Sequence, residues 1–205
     1  MAANFYSDLA FVLGEEGGIS NLTGDAGGYT YKGISQVKNS TWAGWQIIKD
    51  LAQAGSGSLS QDKLLQKAVD DFYFATWIDL RCNALLSQFL SLCVFDTAVN
   101  CGNIRSIRLL QTALNCMNLR GKRWADIAVT GVIDSSTTVS LIVAEKRQTD
   151  IGFALLAARG RHYLDCLADG TDLLGQHANN ESFAGGWFNR LARLYGKGLQ
   201  ERVGL

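Results

Sequence analysis

Apolar side chains recur at helical intervals along most of this 205-residue chain. Phe5, Leu9, Val12 and Glu16 stand at i, i+4, i+7 and i+11, one face of a first helix. Gly17 and Gly18 end it, because glycine enters the left-handed conformation without a side-chain clash. Residues 19–35 have a different rhythm. Asn21, Thr23, Gly24, Asp25, Gly27, Gly28 and Gly33 alternate with Tyr29, Thr30, Tyr31 and Ile34, which predicts turns and a short β-hairpin or extended loop. A Gly- and Ser-rich loop at 55–60 leads to a helix that Ser60 suits as cap, with Asp62 in its first turn and Leu65, Val69, Phe72 and Trp77 on its core side.

Residues 84–100 are apolar nearly all round and predict a central buried helix, with two polar exceptions four residues apart, Asp96 and Asn100. Ile107, Leu110, Leu114 and Met117 mark another amphipathic helix. Thr130–Asp134 reads as a turn, with Asp134 or Ser135 as the cap of the next helix. A long helical region then spans about 139–167, with break points offered by Gly152 or Gly160, and a last helix starts near Trp187 with Leu191 and Leu194 inward. The fold class is mainly α. A helical part with a short hairpin or extended loop, residues 1–103, packs on a second helical part, 104–205, across a soft boundary.

Composition narrows the function classes. Hydrophobic residues make up 47% and charged residues 19%, ordinary for a globular chain. The formal net charge is zero, so no global field draws the protein to nucleic acid, and none is expected as a partner. The balance is −4 over residues 1–103 and +4 over 104–205, so the basic half suits a polyanionic surface such as a cell wall, or is a scatter of solvated charges. Five cysteines, an odd number without CxxC or Cys/His spacing, read as small buried hydrophobes in a reduced compartment. His162 and His177 are far apart, so neither metal nor cofactor is expected. The N-terminus lacks the basic start and apolar run of a signal peptide, and no apolar stretch approaches the ~20 residues that span a bilayer. The expectation is a soluble chain made in the cytoplasm and not embedded in a membrane.

Glu16 continues an apolar stripe in the last turn of its helix. Burial and the negative end of the helix dipole both favour its protonated form, as a general acid near neutral pH requires. At the edge of that stripe, the same side chain would simply reach water. Nine residues on, Asp25 stands in a glycine-rich stretch ahead of Thr30. A pair of carboxylates flanking a glycosidic bond is the equipment of glycoside hydrolysis, although Asp-Ala-Gly-Gly is also a good turn sequence.

Glu16-Gly-Gly, Asp25-x-Gly-Gly and Thr30-x-x-Gly33-Ile34 together resemble the signature of glycoside hydrolase family 108, the muramidases and endolysins of bacteria and their phages. Further pieces resemble it in order: Phe72-Tyr73 with Trp77, Phe95-Asp96-Thr-Ala-Val-Asn100-x-Gly102, Leu109-Leu110-Gln111 and Gly186-Trp187-Phe-Asn-Arg190. Glu15 stands where histidine is common, Ala26 where proline is common, and Thr130–Asp134 matches the family's C-terminal turn only in part. The resemblance implies a lysozyme-like catalytic part, a C-terminal peptidoglycan-binding-like part, and cleavage of the β-1,4 bond between N-acetylmuramic acid and N-acetylglucosamine. Glu16 matches the catalytic glutamate, and Asp25 and Thr30 are similar to the pair that handles the attacking water in phage lysozymes. Asn100 matches a polar position that faces the cleft. Tyr29, Tyr31 and Trp77 are candidate sugar-stacking rings.

The partner so implied is bacterial peptidoglycan. The protein would act as a monomeric, bacteriolytic hydrolase on the wall after release from the cytoplasm through a holin-type lesion or a secretion apparatus. A lytic transglycosylase acting on the same bond, and a non-catalytic wall-binding or virion structural protein, are the competing functions.

Overall fold

The computed structural model describes residues 2–15, 19–20, 29–55, 58–167 and 178–204. Contacts divide the chain into two compact units, Phe5–Asp79 and a second formed by Met1–Asn4 with Leu80–Leu205. The division falls between Asp79 and Leu80, whereas the soft sequence boundary lies near residue 103; the helix between these points packs with the second unit.

The first unit holds α1 (Phe5–Glu15), β1 (Ile19–Ser20), β2 (Thr30–Tyr31), β3 (Ile34–Ser35), α2 (Gly44–Gln53) and α3 (Lys63–Asp79). The strands form an antiparallel sheet in the order β1-β2-β3. Lys32 and Gly33, with φ of 46° and 79°, make the two-residue hairpin turn between β2 and β3, whose mirror-image twist matches that of the flanking strands. On α3 the buried positions are Leu65, Val69, Tyr73 and Trp77, a strict i+4 row. Tyr73 therefore takes the core place expected of Phe72, which is half-buried. The Asp62 carboxylate accepts from the Leu65 N–H at 2.8 Å, so Asp62 supplies the cap expected of Ser60. Helix α2 has no counterpart among the elements that the apolar spacing predicts.

The second unit is built around α4 (Gln88–Cys101), flanked by α5 (Asn103–Met117), α7 (Gln148–Leu167) and α8 (Ala178–Val203), with α6 (Ser135–Val143) beside α5. Every residue of α4 from Phe89 to Ala98 is buried, as an all-round apolar helix demands. Its first N–H groups are satisfied from three directions. Ser87 Oγ accepts from Leu90 N (3.0 Å), Glu201 Oε2 accepts from Phe89 N (2.8 Å), and Gln148 Oε1 accepts from Leu86 N (2.7 Å) and Ser87 N (2.9 Å). Asp134 caps α6 as expected, accepting from Thr137 N and Oγ1 and from Ser136 Oγ, each at 2.8 Å. Those donors hold its carboxyl down at about 2.

The long helical region breaks at Ala144 and the short 3₁₀ turn Glu145–Arg147, not at Gly152 or Gly160, which lie inside α7. Gly152 serves packing instead: a Cβ there would stand 2.8 Å from the Phe89 ring. The last helix starts at Ala178, not near Trp187. Two of the five free thiols, Cys82 and Cys93, are buried as expected, whereas Cys116 is exposed and Cys101 and Cys166 are half-buried. Among the described residues no helix is long and apolar enough to cross a membrane.

Candidate active site

Glu16 and Asp25 lie outside the described residues. Helix α1 ends at Glu15, so Glu16 is the next residue along the chain, and Asp25 belongs to the segment joining β1 to β2. Thr30 is described. It pairs with Ser20 on one side and Ser35 on the other, and the pleat turns it to the face opposite Tyr31.

The candidate rings differ in burial and in what their tips are bonded to. Tyr31 is only 2% exposed. Its hydroxyl donates to Leu59 O (3.3 Å) and accepts from Gln66 Nε2 (3.0 Å). Gln66 also binds Lys32 Nζ through its Oε1, and Tyr73 Oη donates to Lys32 O at 2.6 Å, so α3 holds the hairpin turn by side-chain bonds. Trp77 is 4% exposed, donates its indole N–H to Asp8 Oδ2 at 2.9 Å, and meets Phe5 edge-on at 5.7 Å. Both rings are committed to the core rather than offered to a sugar, because a polar-tipped aromatic is buried stably only once its tip is bonded. Tyr29 differs: it is half-buried, and its ring lies 5.7 Å from that of Trp45.

Trp42 and Trp45, which the sequence did not single out, back this hairpin. Their rings meet edge-on at 4.9 Å, and Trp42 stacks on Tyr31 at 6.4 Å. Their indoles donate to Ala68 O (3.2 Å) and Asn39 O (2.7 Å). Gly44 makes room, since a Cβ there would stand 2.2 Å from the Trp42 ring. The available signal was two tryptophans three residues apart beside a Gly- and Tyr-rich loop.

In the second unit, Asn100 sits exposed near the end of α4 and tops a buried polar chain. Asp96, one turn earlier and 0% exposed, accepts from Arg159 Nη1 at 2.6 Å and from Arg190 Nη2 and Nε at 2.7 and 2.9 Å. Arg159 Nε donates to Tyr163 Oη at 2.7 Å, and Tyr163 Oη donates to Asn100 Oδ1 at 2.6 Å. Burial opposes the Arg159 charge, yet the Asp96 carboxylate together with Tyr163 and Cys101 outweighs it, and the guanidinium pKa stands above its usual value. Burial pushes the Tyr163 phenol up to about 12, so it stays protonated. Tyr163 stacks on Trp187 at 5.0 Å. Two sequence fragments far apart in the chain, Phe95–Asn100 and Gly186–Arg190, are thus joined through Asp96–Arg190 and through Tyr163, which binds Asn100 and stacks on Trp187.

The fold and these residues define a mainly α protein with a small three-stranded sheet inserted after its first helix. Residues 9–102 match the model of the Glycosyl hydrolase 108 family. The match contains Glu16, Asp25, Thr30 and Asn100, and it points to a glycosidase; it does not extend into residues 104–205. No curated protein matches the chain. Among solved structures the chain is similar to SagA of Brucella abortus, with 20% identity and a TM-score of 0.63 over 95% of this chain and 93% of that one. At that identity the likeness is one of fold.

Proposed function

We propose that the protein is a peptidoglycan hydrolase, an N-acetylmuramidase that cleaves the β-1,4 bond between N-acetylmuramic acid and N-acetylglucosamine. The observation that carries this is the Glycosyl hydrolase 108 match over the stretch bearing Glu16, the residue directly after α1. Glu16 acts as general acid on the leaving oxygen, and Asp25 with Thr30 handles the attacking water. Tyr29, the one candidate ring of the hairpin not sealed into the core, stacks on a sugar face. The C-terminal half braces α4 through Arg159 and Arg190. The enzyme reaches its substrate after release to the wall and works as a monomer.

Glu16→Gln keeps the shape of the side chain and removes the transferable proton. Activity on purified sacculi should fall by roughly 10²-fold or more, since general acid catalysis contributes about 10²–10⁴-fold. Undiminished clearing by a folded Glu16→Gln variant would overturn the assignment. Mass spectrometry of the wild-type products should find reducing ends; 1,6-anhydro ends would instead mark a lytic transglycosylase. Asp25→Asn should cost less than Glu16→Gln.

A further inference from the structure

From Thr97 to Ala125 the chain holds five cations, Arg105, Arg108, Arg120, Lys122 and Arg123, and no acid. The fold lays this stretch on the second unit as the end of α4, then α5 and the turn that follows it. Arg105 and Arg108 are exposed on α5, on the side away from its buried row Ile107, Leu110 and Leu114. Arg120 and Lys122 are exposed in the turn at the far end of α5, roughly 20 Å away by the helical rise. None of these four cations forms an ion pair among the described residues. The flanking acids are engaged elsewhere: Asp96 binds Arg159 and Arg190, and Asp126 accepts from Asn118 Nδ2 at 2.6 Å.

Exposed aliphatic side chains stand among the cations. Ile104 is 62% exposed, Leu119 54% and Val132 63%. Gln111 draws the turn at 130–132 against α5, donating to Val132 O and accepting from Gly131 N, both at 2.9 Å. The turn so lies beside Ile104 and Arg108: a Cβ on Gly131 would stand 2.8 Å from Ile104 Cγ2 and 3.2 Å from Arg108 Nε. At the other end, Leu119 and Arg120 hold left-handed backbone, with φ of 57° and 58°, a costly conformation for residues with a Cβ. Their neighbours tie that turn down. Asn118 Oδ1 accepts from Gly121 N at 3.1 Å, Arg123 Nη1 donates to Met117 O at 3.0 Å, and Trp124 Nε1 donates to Leu114 O at 3.2 Å. The strain thus holds a leucine and an arginine out in water.

We propose that this face of the second unit docks on an anionic phospholipid surface. Arg105, Arg108, Arg120 and Lys122 meet the phosphates, and Ile104, Leu119 and Val132 enter the boundary between headgroups and acyl chains. A hydrated polyanion would satisfy the cations but leave the aliphatic side chains in water, whereas a bilayer interface takes both. The proposal stands apart from the glycan-cleaving function and uses no residue of the first unit.

Co-sedimentation of the full chain with vesicles tests it. The protein should pellet with vesicles of phosphatidylcholine mixed with phosphatidylglycerol and stay in solution with phosphatidylcholine alone. Arg108→Gln should weaken binding to the anionic vesicles about fivefold, and Arg108→Gln combined with Lys122→Gln about 25-fold. Lys67→Gln, on the first unit, should leave binding within about twofold of wild type. Leu119→Asn keeps the turn, because asparagine accepts the left-handed conformation, and removes the apolar tip. That variant should melt no lower than wild type and yet bind anionic vesicles about three- to tenfold more weakly. No pelleting with anionic vesicles, equal pelleting with neutral ones, or full affinity in the Arg108→Gln and Lys122→Gln double variant would overturn the proposal. So would retention on sacculi that falls in these variants while no vesicle is bound, which would give the face to a wall polyanion.

Discussion

Asp96 shows how far a single residue could be read from its surroundings in the chain. An acid inside the apolar run 84–100 had to be buried and bonded, and it is. Its partners, Arg159 and Arg190, stand 63 and 94 residues away and carry no local mark of the pairing. Removing one side of such a cluster costs far more than the cluster contributes, because the remaining charges stay buried. Asp96→Ala should therefore destabilise the protein by about 3–5 kcal/mol, a fall in Tm of roughly 10 °C, measured by circular dichroism. A melt indistinguishable from wild type would mean that water or other groups replace the carboxylate. The candidate rings make the same point from the other side. Trp77 was legible as core from its place in the row that begins at Leu65, whereas Tyr29 and Tyr31 look alike in sequence and are told apart only by the bonds to Gln66 and Leu59 that hold Tyr31 in the core.

At the scale of elements, the helices with a sustained apolar row were legible: α1, α3, α4 and α5 follow their spacings, and the Asp134 cap of α6 follows its chemistry. Helix α2 escaped because only Gly44 and Ile48 are buried along its ten residues, too few to make a period. The glycines of α7 and α8 misled for a different reason. Glycine weakens a helix by ~1 kcal/mol, so Gly152 and Gly160 looked like breaks, but helix-to-helix approach decides whether the loss is worth bearing. Gly198 is the clearest case, since a Cβ there would stand 2.5 Å from the Phe89 ring and 2.8 Å from that of Phe153. Phe89 is buried and hemmed in by Gly152 as well, so it has nowhere to retreat. Gly198→Ala should cost about 1–3 kcal/mol by overpacking despite its better helix propensity. Gly196→Ala, two residues earlier with nothing within 4 Å of its Cβ, should stabilise by roughly 0.5–1 kcal/mol. Paired thermal melts check both; a shift of the same sign in the two variants would refute the packing account.

For the molecule as a whole, the charge asymmetry is a property of the chain: −4 over residues 1–103 against +4 over 104–205. If the basic half helps hold a polyanionic wall, retention on isolated sacculi should fall as salt rises from about 0.1 to about 1 M, where the screening length shrinks from about 10 to about 3 Å. Retention indifferent to salt would assign wall binding to hydrogen bonds and stacking alone. By itself the sequence determined the mainly α class, the place of the hairpin and the buried central helix. These follow from spacing and composition within a few turns of chain, where side-chain period and backbone preference act locally. Only the tertiary structure decided that α4 packs with the later helices, which tyrosine is sealed and which is not, why glycines sit inside α7 and α8, and that Asn100 is oriented from Arg159 through Tyr163. Those are matters of distance between residues far apart in the chain, and packing density and hydrogen-bond direction have no counterpart in local periodicity.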